Sequence, residues 1–288
     1  MSEGGTLHRV PQRPYAWLAL FLPSQLLVAL AWWAWGWQAG LPLLMLSHLP
    51  FVAATLMPRA RLYAPVLSRL PLDESAAWLT IDDGPSDDTL PILDLLDAHG
   101  AKATFFLVGE RAAARPELVA EILRRGHGIG NHSHTHPQAW FWALGPRRMA
   151  QEVGDAQRTL TELAGEPPRW FRSVVGMTNP FVAARLKQHG LARVAWNARG
   201  FDAVRDDPAR VAADVERDLA PGAIILMHEG APHGRSVEMI KALLERLQSR
   251  GYATVLPDDG KATSAIAAKM EGRRGSPWRD YRRHGRRR

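Results

Sequence analysis

The chain has 288 residues, 46% of them hydrophobic and 23% charged, with a formal net charge of +7. That composition excludes a chain disordered throughout and allows one sizeable domain with additions. The absence of cysteine excludes disulfides, thiolate metal sites and cysteine nucleophiles, leaving His, Asp and Glu to hold any metal.

Two uncharged apolar runs come first, "YAWLALFLPSQLLVALAWWAWGW" (15–37) and "LPLLMLSHLPFVAATLMP" (41–58). About 20 apolar residues cross a hydrocarbon core, so residues 1–72 read as a membrane anchor with two transmembrane helices. Trp32, Trp33, Trp35 and Trp37 gather at the end of the first run, and indoles favour the membrane interface. A cleaved signal peptide has an apolar region of only about 7–15 residues, and here a second run follows without a clear small-x-small cleavage site. Arg9 and Arg13 precede the first run, Arg59, Arg61 and Arg69 follow the second, and residues 36–42 carry no Lys or Arg. The positive-inside rule then places both flanks, and the domain that follows, on the cytoplasmic side of the inner membrane. A single span would put that domain outside.

From about residue 76 the pattern changes to alternating short strands and helices. Strands are predicted at "AAWLTID" (76–82), "KATFFLVG" (102–109), "GIGNH" (128–132), "RWFRSVV" (169–175), "ARVAWN" (192–197), "GAIILMHEG" (222–230) and "YATVL" (252–256). Between them fall helices at 89–100, 116–128, 146–164, 179–190, 207–220 and 236–251, marked by Pro or Asp starts and Gly stops. This order predicts an α/β domain over 73–258 with a parallel sheet or barrel, and chemistry at the C-terminal strand ends. Residues 261–288 hold ten Lys/Arg and two acids, while the remaining chain carries 26 basic and 27 acidic groups. The basic charge therefore belongs to a tail, 259–288, predicted to be disordered and attracted to anionic lipid; no nucleic-acid partner is expected.

Ionisable residues fall at five strand ends: Asp82 and Asp83, the "HSHTH" histidines 132–136, Arg172, Arg199 with Asp202, and His228. One strand-end Asp is more often a helix cap; five such positions converging on one face are not explained by capping. Two histidines and a carboxylate suit a three-ligand zinc site with an open fourth position. His132 and His136 are the natural pair, although alternate residues share a side and other pairings with His134 stay open. One of Asp82 and Asp83 can ligate while the other accepts a proton. His228 is placed to protonate a leaving amine, and Arg172 to keep the base ionised.

These residues carry a family resemblance. "TIDDG" resembles the TFDDG signature of NodB-type polysaccharide deacetylases (carbohydrate esterase family four), "HSHTH" the family's H-[ST]-x-x-H metal motif, and "ILMHE" its final motif. The resemblance covers roughly 76–257 and implies a distorted (β/α) barrel, here preceded by the transmembrane hairpin. It implies Asp82 as general base, Asp83, His132 and His136 as ligands of a divalent metal, and His228 as general acid. The metal is zinc by ligand type, with cobalt or nickel also acceptable. It further implies that Leu226 lines an acyl pocket and that the Val175 backbone N–H meets the oxyanion. His134 is expected to be a solvated bystander. Two motifs depart from the pattern. "RSVVG" has Val175 where R-x-P-Y-G has Tyr, and "WNARGFDA" offers Asp202 but no following Trp where D-x-x-D-W is usual. Asp202 is the candidate for orienting His228.

The expected function is a metal-dependent hydrolase removing an acetyl or formyl group from the nitrogen of an amino sugar, lipid-linked or small, at the membrane. A periplasmic deacetylase of peptidoglycan or exopolysaccharide is the second enzyme reading. A catalytically silent, membrane-tethered glycan binder is the reading of a different class.

Overall fold

The computed structural model describes residues 7–257, so the basic tail expected at 259–288 lies outside the described residues. Helices α1 (Leu18–Trp35) and α2 (Trp37–Leu56) form an antiparallel hairpin. The loop expected at 36–42 is absorbed into α2, because Gly36 alone, at φ 73°, reverses the chain. Gln25 donates to Ser47 across the pair at 3.2 Å, and Phe21, Phe51, Trp17 and Tyr63 stack edge to face near its open end. Most of the hairpin surface remains apolar and exposed, with Leu27 at 65% and Trp33 at 87%. Both helices are long and apolar enough to cross a bilayer, and a soluble core helix would have buried this area.

The domain alternates as expected: β1 (Ala76–Gly84), α3 (Thr89–Ala98), β2 (Ala103–Leu107), α4 (Gly109–Ala114), α5 (Pro116–Arg124), β3 (Gly128–Asn131), α6 (Pro146–Ala164), β4 (Trp170–Phe171), α7 (Val182–Gln188), β5 (Ala192–Arg193), β6 (Ala198–Arg199), α8 (Pro208–Arg217), β7 (Ala223–His228), α9 (Ser236–Ser249) and β8 (Ala253–Thr254). The strands form one parallel sheet in the order β5-β4-β3-β2-β1-β7-β6, with β8 also paired to β1. Residues 67–70 cross its open side. Leu67 exchanges hydrogen bonds with Arg193 and Ala195, and the Leu70 N–H donates to the Gly222 carbonyl at 2.8 Å. The result is a curled sheet closed on one side by a strap, a distorted barrel.

Side-chain alternation divides the core. Leu79, Ile81, Phe105, Leu107, Ile225 and Met227 face the helices, while Trp78, Phe106, Trp170, Trp196 and Leu226 fill the barrel interior. Both sheet faces are covered, so the strands read as nearly continuous apolar runs. The strand expected at 192–197 is reduced to β5 at its start, and β6 follows beyond its end. Between them Ala195 donates to Leu67 and Asn197 donates to Ile224, so the chain leaves β4 and joins β7.

Candidate active site and metal centre

Sheet register sets the site. Asp82 on β1 lies directly beside His228 on β7, and in-register neighbours on parallel strands are about 5 Å apart with side chains on one face. A regular strand would aim Asp83 at the opposite face. The register slips between Asp82 and Gly84, and Asp83 takes φ 71°, a bulge that turns its carboxylate back to the side of Asp82. The two adjacent acids therefore converge on one pocket.

The loop after β3 supplies the histidines. Asn131 anchors it, donating to the Val153 carbonyl and Gln157 and accepting from the Ser133 N–H. Glu152, buried on α6, accepts from the N–H groups of His134 and Thr135 and from the Thr135 hydroxyl. This scaffold holds Ser133 and His136 at φ 69° and 54°, strained conformations of the kind found at functional sites. The ligand atoms of Asp83, His132 and His136 all lie within 4.8 Å of one another. Asp83 Oδ1 is 3.3 Å from His132 Nε2 and 2.9 Å from His136 Nε2. His132 Nδ1 lies 2.9 Å from the Arg172 carbonyl, so it carries the proton and leaves Nε2 as a lone-pair donor. Burial alone would raise the Asp83 pKa, but hydrogen bonds and charge from the two histidines outweigh it and hold the carboxyl far below its usual range. Two imidazole nitrogens and an ionised carboxylate fit a zinc-type ion.

His134, expected in solvent, is half-buried. Its Nδ1 is sealed without a partner against Gly109 at the start of α4, outside the ligand cluster.

Asp82 is buried, and its Oδ1 accepts from Arg172 Nη1 at 2.7 Å. Arg172 has no exposed surface. The same nitrogen donates to Thr80, and the guanidinium stacks 4.2 Å over Phe106. Burial lowers its pKa, and the charge of Asp82 opposes that. Asp202 grips His228 twice: Oδ2 accepts the backbone N–H at 2.6 Å, and Oδ1 lies 3.1 Å from Nδ1. Burial pulls the His228 pKa down, but Asp202 first, and then Asp82 and Asp83, push it up to about 9. An imidazolium at neutral pH is an acid ready to deliver a proton. Val175 sits at φ 51° on the loop after β4, and its N–H has no hydrogen-bond acceptor among the described residues. Leu226 lies on the inner face, in register with Thr80.

Three residues of the site went unread in the sequence: Asn131, Glu152 and Glu229. Glu229 is buried beside Ser86 and Thr89 after the "DDG" turn, accepting from the Ser86 N–H and hydroxyl at 3.1 and 2.7 Å and from the Thr89 hydroxyl. Burial pushes its carboxyl up to about 7 against those bonds. The signal for Glu152 was present: it shares a helical face with Met149, Val153, Ala156 and Leu160, where a charge needs a partner.

Groups able to take up and to deliver a proton flank a ligand cluster at the C-terminal edge of a parallel sheet, which places the molecule among hydrolytic enzymes of (β/α) build. The family model described as polysaccharide deacetylase matches residues 69–194. A chitooligosaccharide deacetylase of Bradyrhizobium sp. (strain ANU 289) is 32% identical over 191 residues, 62% of this chain and 86% of the relative. The peptidoglycan N-acetylglucosamine deacetylase Bc1960 superposes with a TM-score of 0.61 at 29% identity, over 66% of this chain and 89% of its own. BA3943 of Bacillus anthracis, described as a pseudoenzyme of carbohydrate esterase family four, gives 0.59 at 26% identity over 66% of each chain. The chain belongs to the polysaccharide deacetylase family, whose enzymes hydrolyse the amide bonds of N-acetylated sugars.

Proposed function

We propose that this protein is a membrane-anchored, metal-dependent deacylase that removes an N-acetyl or N-formyl group from a lipid-linked or small amino sugar on the cytoplasmic side of the inner membrane. Asp83, His132 and His136 would hold the divalent ion, which when bound supplies Lewis-acid polarisation of the acyl carbonyl. Asp82, held by Arg172, accepts the proton of the attacking water. The Val175 N–H points its dipole at the developing oxyanion, and Leu226 packs against the acyl carbon. His228, oriented and kept charged by Asp202, hands its proton to the departing amine.

The observation carrying the activity is geometric: Asp83, His132 and His136 cluster within ligand distance, with the carboxylate of Asp82 and the imidazole of His228 on adjacent strands outside the cluster. The membrane substrate is supported by how the hairpin meets the pocket. The Thr178 N–H donates to Thr55 at the end of α2 at 3.0 Å. Arg193 Nη2 donates to the Pro58 and Ala60 carbonyls at 2.8 and 2.7 Å. Asn179 ties the same loop to residues 141–144. Trp140, Trp142, Val175 and Phe181, on the segments these bonds tie together, are exposed, and exposed aromatic side chains there suit the membrane interface. A long soluble polymer would have to share that surface with lipid.

The periplasmic peptidoglycan reading has specific support in the likeness to Bc1960. A silent domain, as BA3943 is described, would be expected to lack a ligand, the base or the acid, and all five residues are present here. Amine release and bound zinc, measured on wild type, His132→Ala and His134→Ala, test the proposal. Wild type should release amine, His132→Ala should lose metal and activity, and His134→Ala should keep its metal. Full occupancy in His132→Ala would sink the ligand assignment.

A further inference from the structure

Arg199 is a strand-end cation that the mechanism above does not use. It pairs in register with Leu226, and Leu226 pairs with Thr80, whose hydroxyl touches Arg172. In-register residues share a sheet face, so Arg199 stands on the inner wall, beside Leu226. Its row lies two residues, about 7 Å along the strands, below the Asp82–His228 row. The guanidinium stacks 3.7 Å over the Phe201 ring and 5.8 Å from the Trp196 ring, whose other neighbour is Arg172 at 5.6 Å. Phe201 is itself strained, at φ 63°, and 40% exposed.

Nothing in the described residues satisfies this cation. Arg172 is paired with Asp82 and Arg205 with Asp214, but the Arg199 guanidinium makes no hydrogen bond or ion pair among the described residues and only stacks on Phe201 and Trp196. A second guanidinium, Arg205, lies 4.9 Å from the same Phe201 ring. Burial lowers the Arg199 pKa and Arg205 adds repulsion, with only the charge of Asp202 opposing them. Where the resembled motif reads D-x-x-D, this stretch offers one aspartate, Asp202, and carries Arg199 three residues before it. A planar five-donor fork, half-buried in a pocket wall and without a carboxylate bonded to it, suits a bidentate oxyanion.

We propose that Arg199 forms an anion subsite that binds a phosphate ester carried by the substrate, so that the enzyme prefers glycosyl phosphates to neutral glycans. The choice of phosphate follows from the hairpin, whose end adjoins the pocket: a sugar held at a bilayer through a phosphate brings that group in beside the reacting ring. The proposal rests on the deacylase reading for its kinetics, not for its binding.

The test uses the full-length, zinc-loaded protein in detergent. The kcat/KM for amine release is measured with N,N′-diacetylchitobiose, N-acetylglucosamine 1-phosphate and the same phosphate esterified to a short prenyl chain, for wild type, Arg199→Gln and Arg199→Lys. Wild type should favour the phosphate-bearing sugars. Arg199→Gln should reduce that preference by about tenfold or more, the worth of one charge-assisted hydrogen bond, chiefly through KM, and Arg199→Lys should restore part of it. Gain from the prenyl chain assigns the site to a lipid headgroup; equal values assign it to phosphate alone, and either supports the subsite. Equal loss on neutral and anionic sugars, or an alkaline pH limb shifted as in an Asp202 variant, would overturn it, because Arg199 would then only position Asp202. If no sugar yields amine, the deacylase reading fails, and calorimetry decides the subsite separately. Binding of N-acetylglucosamine 1-phosphate that weakens in Arg199→Gln upholds it, and binding indifferent to residue 199 overturns it.

Discussion

Asp82 and Asp83 are neighbours in the chain, but their contacts predict different failures. Asp82→Asn keeps an acceptor for Arg172 but cannot take a proton, which costs on the order of 10²–10⁴ in rate. It also leaves the buried Arg172 charge without its carboxylate, so its Tm should fall as well. Its metal affinity should survive. Asp83→Asn removes the anionic ligand at 2.9 and 3.3 Å from the histidines, so metal affinity should fall and activity should recover in part with excess zinc. Calorimetric metal titration with kinetics at several zinc levels separates the two; loss of metal in Asp82→Asn with retention in Asp83→Asn would swap the roles. His228 supplies a pH test. Asp202 holds its pKa up at about 9 against burial, and the proposed mechanism needs the protonated form. Removing the carboxylate lowers that pKa, so Asp202→Asn should move the alkaline limb of the kcat/KM profile down by roughly two units. An unmoved limb would remove His228 as the acid. Residue types and their strand-end positions made these candidates legible in the sequence. The convergence of Asp82 and Asp83 was not legible, because a period-two strand separates them and only the left-handed turn at Asp83 reunites them. Nor were Glu152 and Glu229, whose partners are backbone N–H groups and hydroxyls brought together by the fold.

At the scale of elements, the hairpin and the loop after β4 behave as one unit. Gly176 has φ 74°, and a Cβ there would lie 2.6 Å from both Pro58 and the Trp196 ring. Gly176→Ala should therefore force apart the end of α2 and the loop carrying Val175, with a stability loss of about 1–3 kcal/mol. If the Val175 N–H serves the oxyanion, kcat should fall by more than KM rises. Thermal unfolding in detergent with steady-state kinetics checks both; a fall in Tm with unchanged kcat would separate the loop from catalysis. Long elements were readable because their periodicity spans several turns: α6 begins and ends where Pro146 and Gly165 predict. Short ones were not. β4, β5, β6 and β8 have two residues each, defined by pairing partners distant in sequence, and the strap at 67–70 has no sequence pattern of its own. The docking of the hairpin against the pocket rests on backbone carbonyls at Thr55, Pro58 and Ala60, groups that every residue carries.

For the whole molecule the decisive variable of the proposed membrane function is the side of the bilayer on which the pocket opens. In the proposed topology the hairpin returns the chain to the side it started from, so the domain shares a side with Arg9 and Arg13, and Arg59 and Arg61 follow α2 directly. Moving these guanidinium groups outward opposes the positive-inside preference, while the turn at Gly36 carries no charge to hold it inside. The chain has no cysteine, so single-cysteine variants report topology without background. Gln38→Cys, exposed at the hairpin turn, should react in intact cells with a maleimide that cannot cross the inner membrane. Glu117→Cys, exposed at the start of α5, should react only after permeabilisation. The opposite pattern would place the domain outside. The Gly36 turn would then lie inside, cytoplasmic lipid-linked sugars would be out of reach, and the peptidoglycan reading would take over. The anion subsite would survive that reversal only if its phosphate came from the outer leaflet, and the prenyl-phosphate substrate presented to oriented vesicles would measure that directly.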